Sequence, residues 1–243
     1  MAFDKVIDSA ALDADLTSIA DAIRAKKGVN NVSLDFPVDF VGAIESLGNT
    51  EDYLAAVCNY DVTEIVNNKI TQVPTEFQKG NSALITLSLP NLADIPTYIC
   101  QECTNLRTVD FSGATNMHAG CFGNCYALES VKLDSLETIE SWGYNFNQCK
   151  KITRFDFPKL TGTITEACFH DCRALTVFIL RANTVVPLAN TNAFNKTPIA
   201  LYNGTVGYVY VPRALVDSYK TATNWSKYAA QIRAIEDYPD ICG

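Results

Sequence analysis

Apolar residues recur along this chain in fixed columns. One column reads Val62, Leu84, Leu106, Leu128, Ile152, Leu175 and Ile199. Three residues further on lie Ile65, Leu87, Val109, Val131, Phe155 and Phe178. A third column is Val73, Ile95, Met117, Ile139, Ile164 and Val186, and a fourth is Phe77, Cys100, Phe122, Phe146, Phe169 and Phe194. Cys103, Cys125, Cys149 and Cys172 follow the same beat, at intervals of 22, 24 and 23 residues. The common pattern is F-x-x-C-x-x-L-x-x-V-x-L, as in Phe122-Gly-Asn-Cys125-Tyr-Ala-Leu128-Glu-Ser-Val131-Lys-Leu133. Its V-x-L part alternates apolar and polar residues, the period of a half-buried strand. One unit is too short to bury its own apolar set, so the units must stack. Stacking predicts a parallel ladder with strands roughly 4.8 Å apart.

The ends break the pattern. Leu12, Leu16, Ile19 and Ile23 share one face of a predicted helix over 9–27, with Gly28 after it. Pro37 starts a second predicted helix that presents Phe40, Val41, Ile44 and Leu47. These two stripes predict a helical hairpin over 1–48, serving attachment or oligomerisation through Leu12, Leu16, Ile19, Ile23, Phe40 and Ile44. A short helix around Tyr53–Val57 leads into the repeats, which run over about 62–200 within a domain spanning 49–243. Tyr208-Val-Tyr-Val-Pro212 alternates and stops at a proline, reading as a final strand. Helices over 213–221 and 225–235 would follow it, making a cap over about 205–240 for the solenoid's exposed end. The fold class expected is therefore an α/β solenoid, a parallel strand ladder with a helical hairpin before it and a strand-plus-helices cap after it.

Composition narrows the chemistry. The 243 residues include 19 Lys and Arg against 27 Asp and Glu, a formal charge of −8 that argues against a nucleic-acid partner. No apolar run approaches the ~18 residues of a membrane span, and no secretory signal is read at Met1–Asp4. Nine cysteines are present, with Cys100/Cys103 as C-x2-C and Cys121/Cys125 and Cys168/Cys172 as C-x3-C pairs. A zinc site needs ligands converging on one point, whereas the repeat strings these thiols along a column. The expectation is a ladder of reduced, packed thiols with no metal and no cofactor. His118 and His170 fall in different columns and support no Cys–His or Ser–His site. Carboxylate pairs such as Asp13/Asp15 and Glu236/Asp237 read as solvated surface, and no phosphate-binding glycine motif is present. No enzyme is expected.

The F-x-x-C-x-x-L-x-x-V-x-L signature resembles BspA-like leucine-rich repeats, in which cysteine at that column is common. Cys100 in place of phenylalanine and extra length over 137–151 around Trp142 depart from it. The stretch from Leu16 to Gly28, followed by Phe36-Pro37 and Phe40 to Ile44, resembles an N-terminal module of tail-associated structural proteins of Firmicutes phages. These resemblances imply a virion protein that contacts other tail proteins or a host cell-surface protein or glycan. A homo-oligomer through the hairpin is also expected. The alternative is a bacterial surface adhesin or protein-interaction module. The ladder's solvent-facing positions form the candidate binding face: Thr108, Asp110, Ser130, Lys132, Asp134, Arg154, Asp156, Val177 and Ile179. Val177 and Ile179 are either its apolar end or ground beneath the C-terminal cap. Tyr98, Tyr126, Trp142, Tyr144 and Tyr202 lie off the columns as surface aromatics.

Overall fold

The computed structural model describes residues 61–140 and 143–243, all within the unit Ala43–Gly243. The predicted hairpin of 1–48, its attachment residues, the helix around Tyr53 and Trp142 lie outside the described residues.

Each repeat contributes a short strand whose central apolar residue points inward. Strands β1 (Glu64–Val66), β2 (Thr86–Ser88), β4 (Thr108–Asp110) and β6 (Ser130–Lys132) pair in parallel in the order β1-β2-β4-β6. Ile65, Leu87, Val109 and Val131 stand in one register across them. A second sheet of two-residue strands, β3 (Asp94–Ile95), β5 (Asn116–Met117) and β7 (Thr138–Ile139), carries the third apolar column. A third sheet runs β8 (Arg154–Phe157), β9 (Val177–Leu180), β10 (Tyr208–Val211) and β11 (Ile232–Ala234), again parallel.

The coil of each repeat closes through residues in the left-handed region. Glu76, Tyr98, Gly120, Tyr144 and Ala167 form one such column; Gly80, Glu102, Asn124, Gln148, Asp171 and Lys196 form another. Most are not glycine, so the conformation carries a steric cost. A repeating hydrogen bond offsets it: most of the turned amides, though not those of Ala167 and Lys196, reach a carbonyl one repeat on. Tyr98 N donates to Ala119 O at 3.0 Å, Asn124 N to Asn147 O at 2.8 Å and Gln148 N to His170 O at 2.8 Å.

Inside, the columns pack as layers. The repeat-start leucines, the phenylalanines and the column cysteines from Leu84 to Ile199 are fully buried. Phe122, Phe146, Phe169 and Phe194 stack nearly parallel, with ring centroids 5.2, 5.6 and 5.4 Å apart in sequence. The cysteine column makes a second ladder. Cys125 Sγ donates to Cys100 O at 3.1 Å, Cys149 Sγ to Phe122 O at 3.3 Å and Cys172 Sγ to Phe146 O at 3.0 Å. Cys103 Sγ reaches Gln78 O at 2.9 Å. All eight described cysteines are free and buried.

Two sequence expectations are corrected. The strand ladder is not continuous: it divides between β6 and β8, where 24 residues separate Val131 from Phe155 in place of 22. The extra length over 137–151 displaces the next strand, and Val131, expected in the core, is only half-buried at the break. The 225–235 segment is also not one helix. A 3-10 turn over Trp225–Gln231 gives way to β11, which pairs with β10. The Tyr208–Val211 strand formed as expected but is not the last.

The cap closes the aromatic column by contact and hydrogen bond. Trp225 lies 5.8 Å and Tyr228 5.6 Å from Phe194, ring to ring. Trp225 Nε1 donates to Val186 O at 2.7 Å, and Val186 N donates to the Tyr219 hydroxyl at 2.9 Å. Helix α1 (Val216–Thr221) supplies Tyr219.

Candidate interaction surface

The strand faces are the surface that the repeat builds most regularly. On the β1-β2-β4-β6 sheet the outward rows are Glu64, Thr86, Thr108 and Ser130, then Val66, Ser88, Asp110 and Lys132. Thr108, Ser130, Lys132 and Asp134 are exposed, and Asp110 is half-buried. Thr108 donates its hydroxyl to that of Thr86 at 3.2 Å. Lys132 sits between two carboxylates, 3.9 Å from Asp110 and 3.6 Å from Asp134. Asp110 Oδ1 also accepts from Ser112 N at 3.0 Å, which holds the turn after the strand. Five of the nine proposed face residues therefore share one continuous patch. It is polar, nearly charge-balanced, and left uncovered by the other described residues, with only Asp110 half-buried.

The other four lie across the break, on the third sheet, and the structure treats them differently. Ile179 is fully buried and cannot belong to an open face. It packs with Tyr210 and Cys242, and Val177, Tyr208, Ile235, Tyr238 and Ile241 border this cluster. Residues 235–242 thus lie over the strands, so the apolar end of the face is ground beneath the cap. Arg154 and Asp156 are engaged as well. Asp156 accepts from Arg154 Nη2 at 2.9 Å and from Arg181 Nε and Nη2 at 2.8 Å each. The two guanidinium groups then donate to the carbonyls of Ile241 and Cys242. Sequence columns could not show this, because the covering segment lies outside the repeat.

The surface aromatics pair with cations. Lys79 Nζ stands 4.9 Å from the Tyr98 ring centroid, and Lys150 Nζ stands 4.4 Å from that of Tyr126. The Arg173 guanidinium lies 5.8 Å from Tyr202. Tyr98 rests on Gly120, where an added Cβ would come within 2.4 Å of the ring. Tyr144 is the most exposed of them.

Among the described residues the two histidines stand apart. His118 pairs with Glu140 at 2.7 Å, and His170 Nδ1 lies 3.1 Å from Asn147 Oδ1, on different turns. Burial pushes the thiols of Cys100, Cys121, Cys125, Cys149 and Cys172 well above their usual range, and that of Cys168 to about 12. Such thiols stay protonated and are poor nucleophiles and ligands. Among the described residues, no group of three or more His, Cys, Asp or Glu is placed to hold a metal ion, and no helix is long and apolar enough to cross a membrane.

Residues 74–200 match the model of the BspA type leucine-rich repeat region, in six copies. The chain belongs to the BspA-type leucine-rich-repeat family. Repeats of this kind are interaction modules, and no catalytic family is indicated. A leucine-rich repeat protein of T. pallidum with a solved structure is similar at 17% identity, covering 65% of this chain and 82% of that one with a TM-score of 0.45. No curated protein matches. The matched residues take in the stretch from Phe77 to Leu89 as well as Pro198–Ala200.

Two members of the cysteine column escaped a reading keyed to cysteine. Asn81 and Thr197 stand at its ends, both buried. Asn81 Oδ1 accepts from Ala83 N at 2.9 Å and Leu84 N at 3.2 Å, and Thr197 Oγ1 donates to Phe194 O at 2.7 Å. The spacing of 22 before Cys103 and 25 after Cys172 was the available signal.

Proposed function

We propose that this chain is a non-enzymatic protein-interaction module whose contact surface is the open strand face of β2, β4 and β6. The observation that carries the reading is the register itself. Thr86, Thr108 and Ser130 in one row, and Ser88, Asp110 and Lys132 in the next, project from one rigid core at strand spacing. A partner meets a pre-ordered lattice of hydroxyls and charges, and little ordering entropy opposes binding. The comparable face across the break is already covered.

The setting proposed is a phage tail, with 1–48 attaching the chain and the repeats meeting tail proteins or a host surface protein or glycan. Its support is the resemblance of Leu16–Gly28 and Phe36–Ile44 to a tail-associated module. The BspA-type repeats support a second setting, a bacterial surface adhesin, about equally well. Mass spectrometry of purified virions against protease-shaved surfaces of uninfected cells separates the two. Peptides of this chain in virions support the first; peptides in the shaved fraction support the second. Within either setting, Lys132→Glu with Thr108→Arg should abolish partner capture while lowering the melting temperature only slightly, through the lost pairings with Asp110 and Asp134. Capture that survives this pair would overturn the assignment of the face.

A further inference from the structure

The segment 235–242 is attached to the solenoid in an unusual way for a structural element. Its main-chain hydrogen bonds run within itself: Tyr238 N to Ile235 O at 3.0 Å, Ile241 N and Cys242 N to Tyr238 O at 3.0 and 2.9 Å, and Gly243 N to Pro239 O at 2.8 Å. The four-residue helix α2 (Pro239–Cys242) pairs with no strand. What holds it is side-chain recognition. Arg154 and Arg181, oriented together by Asp156, donate to the carbonyls of Ile241 and Cys242. Tyr238 and Ile241, three positions apart, pack beside Val177, Ile179, Tyr208 and Tyr210, with the Tyr210 and Tyr238 rings 5.3 Å apart. Arg213 donates its backbone N–H to Glu236 and its guanidinium to Asp237. An acidic, aromatic-aliphatic stretch is thus gripped by three arginines and an apolar floor.

We propose that the face of β8, β9 and β10 is a peptide-docking groove, and that residues 236–242 are its resident ligand. The external ligand it fits is an acidic segment of a partner protein that carries an aromatic and a branched aliphatic residue three positions apart and presents two main-chain carbonyls to the arginines. This inference rests on reading the chain as an interaction module, and it adds a second, occluded site to the open face. Glu236 and Asp237 of the segment face Arg213, whereas Arg154 and Arg181, already paired with Asp156, read only its carbonyls, so the resident defines the partner by one acidic contact and two carbonyl contacts. Affinity for an outside peptide is reduced by the fraction of time the groove is closed.

The full-length chain tests this, with a fluorescent peptide of residues 235–243 as probe. Tyr238→Asp with Ile241→Asp should vacate the groove and raise probe affinity at least about tenfold over the unsubstituted chain. Adding Arg154→Gln and Arg181→Gln should remove that gain. In the unsubstituted chain, amides of 241–243 should exchange hydrogen much faster than those of β9 and β10. Exchange at the same rate, a vacated variant that melts normally yet binds no probe, or a vacated variant that fails to fold would each overturn the proposal. A dimer formed by exchange of this segment would also overturn it, giving the groove to a second copy. Loss of the groove while Lys132→Glu still disrupts partner capture would leave the open-face reading standing.

Discussion

At the residue scale, burial decides what each column member does. Leu128 is fully buried mid-solenoid, whereas Thr108 stands exposed on β4. Leu128→Ala should cost about 2–5 kcal/mol of stability, and Thr108→Ala about 0.5 kcal/mol or less. Chemical unfolding of the two variants checks this, and equal effects would place the strand register one residue off. The thiols give a second prediction with a definite sign. Burial raises the folded-state values of Cys100, Cys121, Cys125, Cys149, Cys168 and Cys172 above those of the unfolded chain. Below the unfolded value, near 9, both states hold the proton and stability is unaffected. Above it the unfolded chain releases protons first, so stability falls as pH rises past about 9, and for Cys168 the fall continues to about 12. Denaturant midpoints that stay flat from about pH 8 to 10.5 would show that these thiols are not buried in solution.

At the element scale, what was legible depended on repetition. The columns through Leu106, Val109, Phe122 and Cys125 placed the strands and the core, because each inward position is restated about every 22–24 residues. Features stated once were not legible. The break after β6 follows from two extra residues whose effect on strand pairing no pattern encodes. Strand β11 lies in a segment whose apolar spacing, Tyr228, Ile232 and Ile235, imitates a helix. Pairing with β10 and packing on the last repeat override that spacing. The cap supplies the prediction at this scale. Trp225→Ala removes the ring against Phe194 and leaves the Val186 carbonyl without its indole donor. It should cost about 3–5 kcal/mol, while Lys227→Ala, exposed on the same turn, should change stability by about 0.5 kcal/mol or less. Thermal unfolding of both variants distinguishes a buried cap from a loosely docked one.

At the scale of the whole molecule, the strand sheets divide but the core does not. Phe146 stacks on Phe122 on one side of the break and on Phe169 on the other. Cys149 Sγ and the amide of Phe122 carry hydrogen bonds across the same junction, the latter to Asn145 O at 2.8 Å. Continuity on the coil side therefore compensates for the missing strand pair, and the repeats form one rigid platform for the open face. The exposure of the open-face residues was legible for the same reason the fold was: Thr108, Ser130 and Lys132 inherit it from the column beside them. The covering of Val177 and Ile179 stood as one of two readings, but the segment that covers them was not legible, because Tyr238 and Ile241 come from outside the repeat and no periodicity connects them to Ile179. Pulsed labelling of Cys103, Cys125, Cys149 and Cys172 across a denaturant series, read site by site by mass spectrometry, tests the single platform most directly. One shared opening transition for all four is the predicted result; labelling of Cys103 and Cys125 at lower denaturant than Cys149 and Cys172 would contradict it and divide the solenoid at the break.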